Sequence, residues 1–165
     1  MLKWMVLLAA FAVCMRAETP PRQEAASECF NAAEKKRLAG QDKIDGRIKV
    51  YRGISERYQH AVPGLAAKTR FEEVPALIAC WKELLEISLT DIEANINRKK
   101  KSGALIDYEI QLRRSIVDMN SIRLRSPAER QDDFESWIAQ ASRIRQKFVD
   151  ILFQRGSTES GGGKR

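Results

Sequence analysis

The chain has 165 residues, of which 44% are hydrophobic and 31% are charged, and its formal net charge is +7. This length fits one ordinary domain with enough chain to bury a core. His60 is the only histidine, which excludes a zinc site built from two cysteines and two histidines. The sequence also lacks the Cys-x-x-Cys-His motif of covalent haem attachment and the Glu-x-x-His motifs of di-iron bundles. We therefore expect no cofactor.

The first 17 residues have the pattern of a secretory signal peptide. Lys3 supplies a positive start, and the apolar run from Trp4 to Val13 follows it. Because a membrane span needs roughly 20 apolar residues, we expect no transmembrane span in the mature protein. Small residues allow cleavage after Ala12 or after Ala17. Two alternatives stay open: a lipoprotein processed at Cys14, and an unprocessed N-terminal helix segment of a cytosolic protein.

One domain should follow the leader. Residues 18–26 are polar and contain two prolines, which predicts a linker. Helical patterning then extends over residues 27–155. Residues 156–165 contain no apolar residue and are predicted to be a flexible, disordered tail.

Apolar residues at steps of three and four predict helices throughout this domain. The first helix should begin after an N-cap at Ser27 and end at Pro63 and Gly64, and the second should cover about residues 71–97. The predicted core positions of these two helices are Phe30, Ala33, Ile44, Ile48, Tyr51, Ile54, Tyr58, Val62, Val74, Leu77, Ile78, Trp81, Leu84, Leu85, Ser88, Ile92 and Ile96.

Ser102 and Gly103 mark the start of a third helix, unless the second helix continues through them. A fourth helix should start at the sequence "SPAE", where Ser126 is the N-cap, Pro127 the first helical residue and Glu129 the partner in a capping box. Their core positions are Leu105, Tyr108, Leu112, Ile116, Met119, Ile122, Phe134, Trp137, Ile138, Ala141, Ile144, Phe148, Ile151 and Leu152. No strand pattern appears, so the predicted fold is an all-α, antiparallel bundle of about four helices.

Two cysteines, Cys29 and Cys80, remain after removal of the leader, and such a pair in an oxidising compartment suggests a disulfide. If the first helix is straight, the two cysteines lie about 35 Å apart at 1.5 Å per residue, which is too far for a bond. A disulfide therefore requires that helix to break at Gly40 or Gly46 and fold back. Two separate buried thiols are the alternative.

The most basic stretch follows the second helix. Residues 71–97 carry a net charge of −5 and residues 98–125 carry +5. Cations at the end of an acidic helix are favoured by its dipole, and oppositely charged flanks of neighbouring helices can pair, so we interpret the stretch as compensating charge. The alternative is a surface for an anionic partner formed by Arg98, Lys99, Lys100, Lys101, Arg113 and Arg114.

Glu56 and His60 lie four residues apart on one helix face and could supply two metal ligands. Two ligands do not make a site, and no nucleophile with an adjacent base is indicated. We therefore expect a non-enzymatic, exported protein that binds a partner protein or an anionic envelope polymer. A metal-dependent sensor or enzyme around Glu56 and His60 is one alternative. Nucleic-acid binding through residues 98–101 is another, although we expect no nucleic acid because no aromatic residues are interleaved to stack bases.

Overall fold

The computed structural model describes residues 29–98 and 100–153, and these residues form an all-α bundle, as predicted. The helices are α1 (Ala32–Ala39), α2 (Ile44–Ala67), α3 (Val74–Asn95), α4 (Gly103–Arg123) and α5 (Ala128–Phe153), and a 3-10 turn at Phe71–Glu73 precedes α3. The predicted signal peptide, linker and tail, together with Cys14, Ser27 and Lys99, lie outside the described residues.

The bundle consists of two antiparallel hairpins, α2 with α3 and α4 with α5. In the first, Arg47 near the start of α2 donates 2.7 and 2.9 Å hydrogen bonds to Asp91 near the end of α3. In the second, Arg145 of α5 donates to Glu109 of α4 at 2.8 Å. The bidentate pair of Arg47 with Asp91 fixes the relative position of α2 and α3 as well as neutralising both charges.

The two hairpins pack so that α2 lies beside α4 and α3 lies beside α5. The helices of these two pairs run parallel. At one end of α2 and α4, Ser102 donates to Asp45 at 2.7 Å, and farther along Gln59 donates to Asp118 at 3.0 Å. This parallel relation between hairpins is not indicated by the sequence.

The hairpin packing places α3 and α4 at diagonal corners of the bundle. The expected charge pairing between acidic α3 and the basic segment after it is therefore wrong, because the two helices are not flanking neighbours. Glu86 of α3 pairs instead with Arg143 of α5, and Asp91 pairs with α2. Among the described residues, no ion pair joins α3 to α4.

The predicted first helix is broken into α1 and α2, with Gly40 as the C-cap of α1. A capping box starts α1: the Asn31 side chain accepts from the Glu34 amide, and the Glu34 carboxylate accepts from the Asn31 amide. The break lets α1 fold back along α2, and Cys29 and Cys80 form a disulfide with their Cα atoms 5.0 Å apart. The bond closes a loop of 51 residues, which corresponds to roughly 4 kcal/mol of stabilisation in the chain-entropy account.

Two side chains of α2 also hold residues 29–39, which we call the N-terminal arm. The guanidinium of Arg57 donates to both carboxylate oxygens of Glu34, at 2.8 and 3.1 Å. The hydroxyl of Tyr58 donates to the carbonyl of Cys29 at 2.6 Å. Hydrogen bonds to charged groups are the stronger class, so the arm is tied down by polar contacts as well as by the disulfide.

The prediction that Pro63 and Gly64 end the first helix is wrong, because α2 continues to Ala67. Val62 is completely buried, and Leu65 and Ala66 pack against the core. This apolar burial offsets the backbone hydrogen bond that Pro63, which has no N–H, cannot donate within the helix. Lys68 is instead the C-cap of the helix, and Thr69, which follows it, has a φ of 56°. The amides of Thr69 and Arg70 donate to the carbonyls of Ala66 and Leu65, which is the Schellman pattern with threonine in the usual place of glycine.

The start of α5 also differs from its prediction. The helix begins at Ala128, one residue after Pro127. The Ser126 hydroxyl donates to the carbonyl of Ile122 at 2.8 Å, so it satisfies the last turn of α4 as a donor. The residue therefore closes the preceding helix through its side chain, a use that the capping-box signature did not indicate.

The core lies between α2, α3, α4 and α5 and contains most of the predicted positions, with Ala33 exposed and Leu89 buried without having been predicted. At its centre the rings of Trp81 and Trp137 lie 4.2 Å apart. The indole nitrogen of Trp81 donates to the Ser55 hydroxyl at 2.8 Å, and the amide of Gln111 donates to the same hydroxyl at 3.2 Å. Residues of all four long helices therefore meet in one buried layer.

Ser55 should be important for stability because it accepts two buried donors. Ser55→Ala removes that acceptor and leaves the Trp81 N–H without it, so we expect the free energy of unfolding to fall by about 1–3 kcal/mol. Urea unfolding at unchanged m-value is the measurement. Ser142→Ala, at an exposed position of α5, is the control and should change stability by less than about 0.5 kcal/mol. Equal losses in the two variants would contradict the role of the layer.

The three tyrosines predict how stability depends on alkaline pH. Burial raises the pKa of Tyr51, Tyr58 and Tyr108 above the ordinary value of 10.0, and Asp91 raises that of Tyr51 further. Unfolded phenols ionise near pH 10 while the folded ones stay protonated, so this contribution to stability is complete below about pH 10 and is lost as the pH rises further.

The ultraviolet absorbance of phenolate measures this directly, because the chain has no other tyrosines. We expect the folded protein to titrate at a higher pH than the urea-unfolded protein. Coincident titration curves would show that the phenols are accessible in the folded state and would contradict the prediction.

Candidate binding surface

The outward side of α4 carries a second row of residues besides its core stripe. The steps between its members alternate between four and three residues, which is heptad spacing. Val117 is 63% exposed and Leu124 is 68% exposed, whereas Met119, on the core stripe, is 1% exposed. We call this set the α4 row; its members are Ile106, Ile110, Arg113, Val117, Asn120 and Leu124.

A groove between α4 and α5 follows the first half of the α4 row. We call it the α4–α5 groove; its volume is about 460 Å³. Ile106 and Ile110 of α4 form one apolar wall, and Val149, Leu152 and Phe153 of α5 form the other. Phe153 is 78% exposed, so an aromatic ring stands at the edge of the groove with little cover. Exposed apolar residues that form a continuous patch mark interaction sites more often than scattered ones do.

Cations line the two ends of the groove along α4. Lys101 and Arg113 are exposed and form no ion pair with other described residues. About 15 Å of helix separates Gly103 from Arg113 at 1.5 Å per residue. Glu109 is the acidic residue of the lining, but it is 9% exposed and already bound to Arg145. The groove therefore presents an apolar floor and a positive rim.

The five predicted basic residues that the structure describes do not form one surface. Lys101 and Arg113 line the α4–α5 groove, whereas Arg114 lines a second groove on the α2 side of α4. Consecutive residues diverge in this way because a helix turns by about 100° per residue. Arg98 and Lys100 lie with Lys101 around a shallow depression beside Ile151 and Leu152, and Lys99 lies outside the described residues.

Glu56 and His60 both line the second groove, between α2 and α4. Glu56 is engaged by Arg52 at 3.4 Å, and Arg52 also donates to Asp107 at 3.1 Å. Within residues 29–98 and 100–153, no group of three or more histidine, cysteine, aspartate or glutamate side chains is placed to hold a metal ion. None of the helices in these ranges has the length and apolar character needed to cross a membrane.

Four apolar residues of this surface are absent from the predicted core positions. Ile106, Ile110, Val149 and Phe153 lie beside the dominant apolar stripe of their helices, from which those positions were predicted. The signal was nevertheless present, since Ile110, Val117 and Leu124 recur at intervals of seven residues on a face that does not enter the core.

Comparisons of the chain with protein-family models, with curated proteins and with solved structures find no match.

The exposed members of the surface should contribute little to folding. Val117→Ser and Phe153→Ser should each change the free energy of unfolding by less than about 0.5 kcal/mol, because both side chains are mostly in water already. Met119 lies two residues after Val117 and is buried, so Met119→Ala should lower the free energy of unfolding by about 2–5 kcal/mol. Urea unfolding of the three variants checks this. A large loss at Val117 or Phe153 would mean that the residue belongs to the core.

Proposed function

We propose that this chain is an exported, non-enzymatic protein that acts by binding a partner protein through the α4 row and the α4–α5 groove. The observation that carries the proposal is the exposure of Val117, Leu124 and Phe153, because the described residues include no other large apolar side chain that is exposed. Burying apolar surface is the main driving force of association, and these side chains are mostly exposed to water in the folded chain.

The export part of the proposal is supported by two features. The leader pattern at residues 1–17 is typical of a secretory signal, and a disulfide such as that between Cys29 and Cys80 is characteristic of oxidising compartments. The disulfide also holds the segment that follows the predicted leader and linker in sequence. An exported chain would seldom meet nucleic acid, which favours a protein or an envelope polymer as the partner.

The binding part is supported by the combination of an apolar floor with cationic ends. An anionic polymer could use Lys101 and Arg113, but it would leave Ile106, Ile110 and Phe153 without a role. A protein partner can cover the apolar residues and meet the cations in one interface. This favours a protein over an envelope polymer.

In-cell photo-crosslinking tests the binding function. A photoreactive residue at position 110, within the groove, should yield a crosslinked adduct of defined mass in the cell that makes the protein. The same residue at position 90, an exposed threonine on α3, is the matched control and should yield none. Equal adducts at both positions, or none at either, would contradict a binding role for this face.

The intact mass of the protein purified in the same experiment tests export. We expect a chain that lacks 12 to 17 N-terminal residues, as the leader pattern predicts. An added lipid on Cys14 would make it a tethered envelope protein. A full-length mass would contradict export.

A further inference from the structure

The α4 row separates into two kinds of position. Ile110, Val117 and Leu124 are spaced by seven residues and are all apolar, as at the a positions of a heptad. The d positions hold Ile106, then Arg113, then Asn120. Polar residues at such positions weaken an interface but specify which partner and which register it accepts. The row therefore has the pattern of one side of a helix–helix interface with built-in selectivity.

From this pattern and the groove we infer that the partner is an acidic amphipathic helix that packs along α4, an inference that rests on the proposed binding function. The row extends from Ile106 to Leu124, which is 19 residues and about 27 Å along the helix axis, and this length matches a partner of about three heptads. Along the first half of the α4 row, the partner helix would lie between α4 and α5. Val149 and Leu152 of α5 would then contact a second side of the partner, next to the side that contacts α4. A helix packed into the groove between two others is the geometry of a three-helix assembly.

Charge determines the kind of helix. Arg113 lies within the row and Lys101 lies at its start, and neither is neutralised by the described residues. A helix with lysine or arginine beside its apolar seam would meet like charge at both points. A helix with glutamate or aspartate there would form ion pairs with both cations, and such complementarity selects partners and speeds association.

Two other occupants fit less well. The chain's own C-terminal segment, residues 154–165, begins beside Phe153 but contains no apolar residue to cover the groove. A second copy of the chain in a two-fold dimer would place the same patch against itself. Two positive rims would then face each other, because Glu109 is already bound to Arg145.

The experiment uses the full chain and two synthetic helical peptides of three heptads. Both carry leucine at a and d; one carries glutamate at e and g, and the other carries lysine. Binding is measured by fluorescence anisotropy of the labelled peptide at low and high salt. We expect the acidic peptide to bind about tenfold more tightly than the basic one, and salt to narrow that difference.

Charge reversal provides the matched control. Arg113→Glu should lower the affinity for the acidic peptide by about tenfold and raise that for the basic peptide. Lys49→Glu, an exposed position on α2, changes the net charge equally and should leave both affinities unchanged. Ile110→Glu should abolish binding of the acidic peptide.

Each opposite result would overturn the inference. Equal binding of the two peptides, or equal effects of Arg113→Glu and Lys49→Glu, would reject an acidic partner, whereas the crosslink at position 110 would still support the proposed function. Binding to phosphatidylglycerol vesicles without binding to either peptide would replace the helix by a lipid surface. A dimer in sedimentation that Ile110→Glu dissociates would replace it by a second copy of the chain.

Discussion

The hydrogen bond from the Trp81 indole to the Ser55 hydroxyl is the interaction on which the bundle depends most. Trp81 is completely buried on α3, packs at a tilted angle against Trp137 of α5 and stacks with Tyr58 of α2 at a ring distance of 6.1 Å. Through Ser55 it is connected to Gln111 of α4. A large aromatic side chain with one polar atom can act in this way because its area drives burial, while its N–H is satisfied in only one orientation. The buried layer of Trp81, Trp137, Ser55 and Gln111 therefore fixes the position of the two hairpins relative to each other along the bundle axis.

The N-terminal arm depends on that alignment. Tyr58 belongs to the aromatic layer, and its hydroxyl reaches the carbonyl of Cys29, while Cys80 lies one residue before Trp81. The disulfide thus joins the arm to the helix that carries the central tryptophan. The ion pair between Arg57 and Glu34 lies at the same contact between the arm and α2, and its carboxylate is almost completely buried. The disulfide and these polar contacts bind the arm to α2 and α3, and the far side of the bundle carries none of them.

That far side is formed by α4 and α5, and it has a different character. The ion pair between Glu109 and Arg145 holds the two helices in register, while the groove beside it is mostly apolar and Phe153 at its edge is exposed. One side of the bundle is therefore closed by the disulfide and its polar contacts, and the other side carries exposed apolar side chains. Such a division suits a protein whose fold is a scaffold for one binding surface, since the surface can change without loss of stability.

Periodicity alone was sufficient to predict the helices and most of the core, because apolar steps of three and four select one face of a helix whatever its neighbours are. Distances along the chain also showed that a disulfide between Cys29 and Cys80 requires the first helix to break at Gly40 or Gly46, and the helix does end at Gly40. The pairing of hairpins could not be predicted, since α2 could pack beside α5 as readily as beside α4 by pattern alone. The same limit concealed the candidate binding surface. Ile110 and Leu112 are both apolar residues of α4, and only the packing of the other helices decides that Leu112 is buried and Ile110 lines a groove. Sequence periodicity determined which residues share a face, and the tertiary structure decided which faces are covered, because burial is a property of the assembled helices.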